Sequence, residues 1–412
     1  MPAEGITAKP SILMLCNDRQ IDRRILLQAD SLEEAGWQVR ILAMPLDEPA
    51  EDDPRVSRVG QGAAQTASHE NRVLSVYRFV RRYLSMNGGV MRVLKAMAWR
   101  FLVDQERFYL RLFLDEARQM RADVVVAHDL PMLAVGRTLA AEFCARLVYD
   151  SHELYCEQEF SRAQGGNWAV IEQRHIGACD LVITVNPSIA RELERRYHLD
   201  EVQVIHNAER ALTSAPRSWY LHDRFAIDRS HAILLFQGGL SAGRHLPELI
   251  DAMALVKSQT VHLVLLGDGQ LGEALRTQVK RLGLEKRVFL HPAVPQRDLL
   301  LVTAAADAGV IPYQAICLNN FYCTPNKLFE FIAAGLPILA SDLPELRRIV
   351  SGNEIGRVAD LSSVPSMANS IDSFFKDYGQ LQVWRETLSR VRQQVNWQVE
   401  GARLQTLYER FR

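Results

Sequence analysis

Short runs of β-branched and other apolar residues alternate with helical patterns along this chain, and this alternation constrains its fold more than any other feature. In the first half, strands are predicted at Ile12–Cys16, Val39–Ala43, Val124–Ala127, Leu147–Tyr149, Leu181–Val185 and Val202–Ile205. Beyond a polar segment, strands are predicted at Ile233–Phe236, Val261–Leu266, Val288–Leu290, Ala308–Ile311 and Pro337–Ala340. Strands that are apolar on both faces lie in parallel sheets covered by helices. The pattern therefore predicts an α/β chain of two doubly wound, Rossmann-like domains.

The polar segment Asn207–Ser230 separates the two series of strands and has no clear periodicity. We therefore predict an N-terminal domain over residues 1–210 and a C-terminal domain over residues 211–390. Because ligands of such sheets bind at the carboxyl ends of the strands, a central cleft that both domains face is the expected site.

Composition excludes several other classes of protein. Apolar residues make up 48% and charged residues 24% of the 412, and the net charge of −1 favours neither nucleic acid nor membrane over the whole surface. The six cysteines form no C-x-x-C pair, which is typical of free thiols in a reducing compartment. The start of the chain lacks the features of a secretion signal, and no apolar stretch is long enough to span a bilayer. We therefore expect a cytoplasmic protein.

One basic segment departs from this neutral balance. Residues 72–111 contain nine basic and two acidic side chains, interleaved with aromatic residues such as Tyr77, Phe79 and Trp99. The segment predicts either two amphipathic helices packed on the first domain or a surface that touches anionic lipid or a lipid-linked acceptor. A peripheral contact with the inner face of a membrane therefore remains open.

The segment from Thr324 to Glu330 is the most informative for function. Thr324 is a plausible N-cap and Pro325 suits the first helical position, so the helix is predicted to open with free N–H groups, which bind anions. Lys327 adds a cation beside this opening. Asn326 and Glu330 are four residues apart and lie on one helical face, where a carboxylate can accept hydrogen bonds from ribose hydroxyls.

This stretch, Thr-Pro-Asn-Lys-Leu-Phe-Glu, resembles the donor-site signature of the retaining GT-B glycosyltransferases called glycosyl transferases group 1. The resemblance implies that Glu330, the second of two motif glutamates, holds the ribose of a nucleotide sugar. It also implies that the backbone around Thr324, Pro325 and Asn326 faces the donor sugar and phosphates. The first motif glutamate is replaced by Tyr322, as in the Pro-Asn-Lys-Leu-Phe-Glu variants of the family.

A second resemblance covers Phe236–Ile250 and lies in the family's first loop of the C-terminal domain, here Gly238-Gly239. The family places two cations there against the diphosphate. In this chain Gly239 replaces the arginine and Arg244 replaces the lysine, so Lys327 is the expected second cation. Breaking the glycosidic bond leaves negative charge on the diphosphate, which fixed cations stabilise. No D-x-D pair occurs, so we expect neither a metal nor a cofactor besides the donor.

Weaker similarities complete the donor site. Gly267 follows a strand and lets backbone approach a phosphate or base, and Val294 lies where family members hold the base through main-chain groups. Taken alone, a glycine turn is more often ordinary strand-to-helix packing, and Arg244, Lys327 and Glu330 would each be solvated side chains. Their order and spacing together favour the donor site. The resemblance also implies that a final helix over residues 391–412 crosses back to the first domain.

In the N-terminal half, polar residues follow two predicted strands. His128 and Asp129 follow one strand, and His152 and Glu153 follow the next. The resemblance places a cleft histidine at His128, where it would contact the donor sugar or orient the acceptor hydroxyl, with Asp129 and Glu153 as rival polar or basic groups. Alternatively, His128 and Asp129 cap the following helix and His152 is a core residue.

Together these features predict a glycosyltransferase that moves a sugar from a nucleotide diphosphate donor to an acceptor hydroxyl, with retention. We expect the acceptor to be a sugar or a lipid-linked glycan, as in the assembly of bacterial surface polysaccharide or glycolipid. Catalytic roles are predicted for His128, Arg244, Lys327 and Glu330. Two alternatives remain: a sugar-nucleotide epimerase or hydrolase on the same fold, and a non-catalytic sugar-nucleotide-binding subunit.

Overall fold

The structure is a computed structural model that describes residues 9–46, 53–60, 104–211 and 218–412. It divides into two compact units. The first contains Met1–Ile205 together with Gly401–Arg412, and the second contains His206–Glu400. Of the basic segment 72–111, residues 72–103 lie outside the described ranges.

The first unit is built on a seven-stranded sheet. Its strands are β1 (Ser11–Cys16), β2 (Gln38–Ala43), β3 (Val56–Arg58), β4 (Val124–His128), β5 (Arg146–Ser151), β6 (Leu181–Thr184) and β7 (Gln203–Val204). The helices between them are α1 (Arg23–Glu34), α2 (Gln105–Ala117), α3 (Leu130–Phe143), α4 (Arg162–His175) and α5 (Pro187–Tyr197). All neighbouring strands pair in parallel in the order β3-β2-β1-β4-β5-β6-β7.

The second unit repeats this plan with six strands. They are β8 (Ala232–Gln237), β9 (Val261–Leu266), β10 (Val288–His291), β11 (Ala308–Ile311), β12 (Ile338–Ser341) and β13 (Gly356–Ala359). They pair in parallel in the order β10-β9-β8-β11-β12-β13. Its α-helices of four or more residues are α6 (Tyr220–Phe225), α7 (Leu246–Leu255), α8 (Gly272–Arg281), α9 (Gln296–Thr303), α10 (Leu318–Phe321), α11 (Asn326–Ala334), α12 (Val364–Lys376) and α13 (Tyr378–Val391). The last helix, α14 (Trp397–Tyr408), belongs to the first unit from Gly401 onward.

The strand orders place the ligand-binding position of each sheet. All strands are parallel, but the order in which successive strands are added to the sheet changes side between β1 and β4 in the first unit, and between β8 and β11 in the second. At such a switch point the following loops diverge and leave a crevice at the carboxyl ends of the strands. The residues that follow these four strands are therefore the first place to look for function.

The predicted fold class is confirmed: both units are doubly wound, parallel α/β structures. The central strands β1, β4, β8 and β9 are almost wholly buried, which explains their continuous apolar sequences. Two strands were missed, β3 and β13, because each is short and has half-buried residues. The polar segment 207–230 also contains a helix, α6, which the sequence did not indicate. Among the described residues, no helix is long and apolar enough to cross a membrane.

Candidate active site

In the second unit, two residues flank the switch point. Gln237 is the last residue of β8 and is buried, and Tyr313 follows β11 by two positions and is buried as well. Polar groups of this kind are rare inside an apolar sheet, so each requires hydrogen-bonding partners.

Glycines bring the loops after β8 and β9 together. Gly238 and Gly267 have φ values of +116° and +141°, a region that favours glycine. A Cβ at Gly267 would lie 2.1 Å from the carbonyl oxygen of Gly238, so no side chain fits there. The Gly238 N–H donates to the Leu266 carbonyl at 2.9 Å. Gly239, by contrast, is exposed and has open space around its Cα. Backbone is thus exposed at the loop that the sequence analysis predicted to contact a phosphate or base.

Helix α11 opens beside this loop. The prediction that Thr324 is its N-cap is wrong: Pro325 takes that position with extended backbone (ψ 148°), and the helix begins at Asn326. Pro325 has no polar side chain with which to cap the helix, and the positive end of the helix dipole lies at this terminus. Thr324 itself is buried. Asn326 is exposed, and its Oδ1 accepts a hydrogen bond from Asn207 at 3.1 Å.

Two cations lie against one aromatic ring at this opening. The Lys327 ammonium donates to the Tyr313 hydroxyl at 2.6 Å and lies 4.7 Å from the centre of that ring. The Arg244 guanidinium lies 4.4 Å from the same ring centre. A Cβ at Gly238 would be 3.3 Å from the Lys327 Nζ, which places the ammonium against the glycine loop. The predicted cations are therefore brought together, through a tyrosine that the sequence analysis did not single out.

Glu330 lies one turn further along α11 and is buried, with 8% of its surface exposed. Its Oε2 accepts a hydrogen bond from the Gln237 amide, and the Gln237 Oε1 accepts one from the Thr303 hydroxyl at 2.8 Å. Thr303 is the last residue of α9 and is fully buried. Although Asn326 and Glu330 lie on the same helical face, the Glu330 side chain is therefore buried in a hydrogen-bonded chain, whereas Asn326 is exposed.

Val294, the last of the predicted donor-site residues, lies in the loop after β10. It follows β10 by three positions and is half-buried. Next to it, the Ala293 N–H donates to Asp268 Oδ2 at 3.1 Å, and the Gly267 N–H donates to the His291 carbonyl at 2.9 Å. These two hydrogen bonds connect the loop after β10 to the loop after β9 at the carboxyl ends of the strands.

In the first unit, a polar cluster lies at the ends of β4 and β5. The His128 Nδ1, the His152 Nε2 and the Asp150 Oδ2 are 3.2–3.3 Å apart in pairs. Arg24 holds the Asp150 carboxylate in a two-pronged ion pair at 2.9 and 3.2 Å, and Gln28 donates to it at 2.6 Å. Asp150 is fully buried, so its charge depends on these partners.

The same contacts set the protonation states of the cluster. Burial opposes ionisation of Asp150, but the Arg24 and His152 charges outweigh it and hold the pKa of Asp150 well below its usual range. Burial also opposes the charge on His152, yet the Asp129 and Asp150 carboxylates raise the pKa of His152 to about 10. Burial lowers the pKa of His128. One histidine of the cluster is therefore charged at neutral pH and the other is neutral.

Asp129 has an unusual backbone. Its φ of 61° and ψ of 164° fall in a region that only glycine adopts without strain. Asp129 occupies the N-cap position of α3, but its carboxylate makes no capping bond and instead accepts the His152 backbone N–H at 3.0 Å. Burial raises the pKa of Asp129 to about 7. Strained polar residues of this kind cluster at functional sites.

The three-atom triangle of His128, Asp150 and His152 also has the spacing of metal ligands. Its carboxylate oxygen, however, already accepts from Arg24 and Gln28. A divalent ion there would compete with the guanidinium for the same oxygen, so the ion pair fits these residues better than a metal does.

The residues that the sequence analysis missed are Gln237, Thr303, Tyr313, Arg24 and Gln28. Only two of them carried a usable signal: Gln237 directly follows the apolar run of one strand at the switch point, and Tyr313 follows that of the other strand after Pro312. Arg24 and Gln28 lie in an amphipathic helix, where nothing in the sequence distinguishes them from solvated side chains.

Comparisons with known proteins agree with this architecture. Residues 21–208 match the family described as Glycosyl transferase 4-like domain, and residues 231–377 match the family described as Glycosyl transferases group 1. No curated protein matches the sequence.

Several solved structures share the fold. Sucrose-phosphate synthase from Thermosynechococcus elongatus aligns over 98% of this chain and 99% of its own, with 17% identity and a TM-score of 0.72. Anabaena HepE in complex with UDP-glucose aligns over 97% and 99%, with 16% identity and a TM-score of 0.65. WaaG, a glycosyltransferase involved in lipopolysaccharide biosynthesis, aligns over 96% and 99%, with 14% identity and a TM-score of 0.64.

Proposed function

We propose that this chain, a glycosyltransferase of the GT-B fold, transfers a sugar from a nucleotide diphosphate donor to an acceptor hydroxyl. It combines a glycosyl transferase 4-like domain with a glycosyl transferases group 1 domain. The observation that carries this proposal is the pair of cations, Arg244 and Lys327, held on Tyr313 at the open end of α11. Fixed cations and a helix N-terminus are what a diphosphate requires.

The reaction follows from this arrangement. The acceptor oxygen bonds to the anomeric carbon while the bond from that carbon to the diphosphate oxygen breaks, and the hydroxyl proton leaves with the diphosphate. Arg244, Lys327 and the N–H groups of α11 stabilise the negative charge that develops on the leaving group. Glu330 accepts hydrogen bonds from the ribose, and backbone around Gly238, Gly239, Gly267 and Val294 contacts the phosphates and base. We propose retention without a covalent intermediate, on the resemblance to the retaining enzymes.

For the first unit we propose that His128 contacts the donor sugar or the acceptor hydroxyl. Its Nδ1 lies 3.3 Å from the Asp150 carboxylate, and in the tautomer that donates to this carboxylate Nε2 is an acceptor. Within the described residues the buried Nε2 has no hydrogen-bond partner. A ligand hydroxyl that gains access to this sealed nitrogen would satisfy it, and the lowered pKa of His128 keeps the acceptor lone pair available.

A donor panel tests the proposal. Release of nucleoside diphosphate is measured with UDP-, GDP- and ADP-sugars and a range of sugar acceptors, and the configuration of the product is assigned by NMR. Lys327→Met and Arg244→Met should each lower kcat by about 10²-fold or more, as loss of one charge-stabilising group does elsewhere. Lys280→Met removes an exposed cation from α8 of the same unit and should leave the rate unchanged.

The alternatives give different results in this assay. An epimerase alters the labelled donor sugar without an acceptor, and a hydrolase releases the free sugar. A binding subunit takes up the donor but releases no diphosphate with any acceptor. If the Lys327 and Arg244 variants keep the rate of wild type, the assignment of the diphosphate to this site is wrong.

We further propose that the acceptor is a sugar or lipid-linked glycan of bacterial surface polysaccharide, reached in the cytoplasm at the inner face of the membrane. The basic, aromatic composition of residues 72–111 and the fold shared with WaaG support this. The assay tests it when a lipid-linked acceptor is presented in anionic vesicles. Rates that do not change on charge reversal at Arg81 and Arg82 would reject the membrane contact.

A further inference from the structure

The hydrogen bonds around Glu330 are few for a buried carboxylate. Its Oε2 is bonded by Gln237, whereas no hydrogen bond from the described residues engages Oε1. Oε1 is also not among the polar atoms sealed from solvent without a partner. A buried carboxylate normally accepts several hydrogen bonds, so one oxygen of Glu330 is left for a ligand.

The hydrogen bond from Gln237 occupies Oε2 of Glu330 and so leaves Oε1 free. A carboxylate only accepts hydrogen bonds, so the amide NH₂ of Gln237 must face Glu330 and its Oε1 must face Thr303. The Thr303 hydroxyl donates to that Oε1 at 2.8 Å and also lies 2.7 Å from the Leu299 carbonyl. The three side chains are all buried and come from α9, β8 and α11. The chain Thr303–Gln237–Glu330 therefore holds the carboxylate in one rotamer.

We propose that Gln237 is a positioning residue that aims the free oxygen of Glu330 at a ribose hydroxyl and so makes the site select ribonucleotides over deoxyribonucleotides. The inference rests on the proposed function, in which Glu330 holds the ribose. A site built to bond a hydroxyl discriminates against a ligand without it, because a buried acceptor is then left unpaired. Without Gln237 the carboxylate turns freely, and the ribose hydroxyl loses its oriented partner.

A purely structural role for Gln237 predicts something else. If its amide only satisfied a buried charge, its loss would weaken the fold or the binding of every nucleotide alike. The ratio of ribo to deoxy affinity separates the two roles, since that ratio depends on the contact with the missing hydroxyl alone.

The experiment measures dissociation constants by calorimetry for UDP, ADP and GDP, and for the 2′-deoxy and 3′-deoxy forms of the tightest binder. Wild type should prefer the ribonucleotide by about tenfold or more over one deoxy form. Gln237→Met keeps the side-chain length and removes the donor; it should bring the ratio close to one while the deoxy affinity stays within about threefold. Thr303→Val should lower the ratio by a smaller factor.

Gln278→Met is the matched control. Gln278 lies in α8 of the same unit and also donates from its amide to a carboxylate, Asp251, at 2.7 Å. Its variant should keep the ratio of wild type. Thermal melting of each variant shows whether it is folded, and Gln237→Glu serves as a second variant if the methionine does not fold, because two facing carboxylates repel and the ratio should again fall.

The outcomes distinguish the role of Gln237 from the proposed function on which it rests. If wild type binds none of the nucleoside diphosphates, the proposed function fails. If wild type shows a ribose preference that Glu330→Gln removes but Gln237→Met retains, the proposed function stands and the role of Gln237 is wrong. Equal weakening of ribo and deoxy forms by Gln237→Met also overturns the inference, and so does a wild type without any ribose preference.

Discussion

At the scale of single residues, His152 shows how one charge is stabilised by its surroundings. It lies 3.2 Å from an oxygen of Asp150 and 3.4 Å from one of Asp129, and these carboxylates raise its pKa to about 10 against the burial that opposes the charge. A group whose pKa is higher in the folded than in the unfolded state stabilises the fold fully below the unfolded pKa, near 6.5 for histidine. That contribution is lost as pH rises through about 10.

His152→Gln tests this linkage. The variant should lose about 2 kcal/mol of unfolding free energy at pH 6, because it removes the imidazolium from the buried Asp150 carboxylate, which keeps Arg24 as its charged partner. The difference from wild type should shrink between pH 6.5 and 10, as measured by urea unfolding at several pH values. His175→Gln is the control, because burial lowers rather than raises the pKa of His175, so its contribution to stability is not lost between pH 6.5 and 10. A difference that is the same at pH 6 and pH 10 would contradict the assignment.

Some residues of the candidate site could be predicted from the sequence alone. Lys327 and Glu330 lie within one motif whose helix, cap region and spacing can be read directly from the chain. Gln237 and Tyr313 are separated from them by up to 93 positions, and their contacts arise only when β8 and β11 pair in the sheet. Local patterns report on neighbours along the chain, so partners that tertiary pairing brings together escape them.

At the scale of elements, the loops after β8 and β9 depend on a glycine. Gly267→Ala places a methyl group 2.1 Å from the Gly238 carbonyl oxygen, which is a steric clash. The φ of +141° also strains the backbone of any residue with a side chain. We expect a loss of about 3 kcal/mol of unfolding free energy, measured by denaturant titration, and weaker binding of nucleoside diphosphate. Gly272→Ala, five residues later, should instead stabilise α8 by about 0.5 kcal/mol, because its Cβ meets only open space.

The elements themselves were largely predictable. Strands such as Val261–Leu266 were predicted with their observed bounds, because a fully apolar run of that length has few alternatives in an α/β chain. The start of helix α11 was predicted within one residue: its N-cap was placed at Thr324 instead of Pro325, since both residues suit helix starts. Strand β13 was not predicted because its half-buried Gly356–Ala359 has neither alternation nor an apolar run.

At the scale of the whole molecule, the chain returns to its first unit at the end. Within that unit, Tyr408 of α14 is fully buried, and its ring meets Trp37 edge-on at 6.2 Å between ring centres. Leu404 is fully buried too, and Gln405 donates to the Ser31 carbonyl at 2.7 Å. The last residues are thus part of the core of the first unit, although α14 begins in the second.

Tyr408→Ala should therefore destabilise the first unit by about 3–5 kcal/mol, the usual cost of removing a buried aromatic side chain. Hydrogen exchange should show faster opening in peptides of β1 and α1, while peptides of β8 and β9 keep their protection. Tyr408→Phe keeps the ring and removes a hydroxyl that has no partner among the described residues, so it should not destabilise the protein. Phe374→Ala removes a buried ring of the second unit and should give the reverse pattern. If Tyr408→Ala exposed both units alike, the two cores would unfold as one cooperative structure, and the division of the chain would have no energetic meaning.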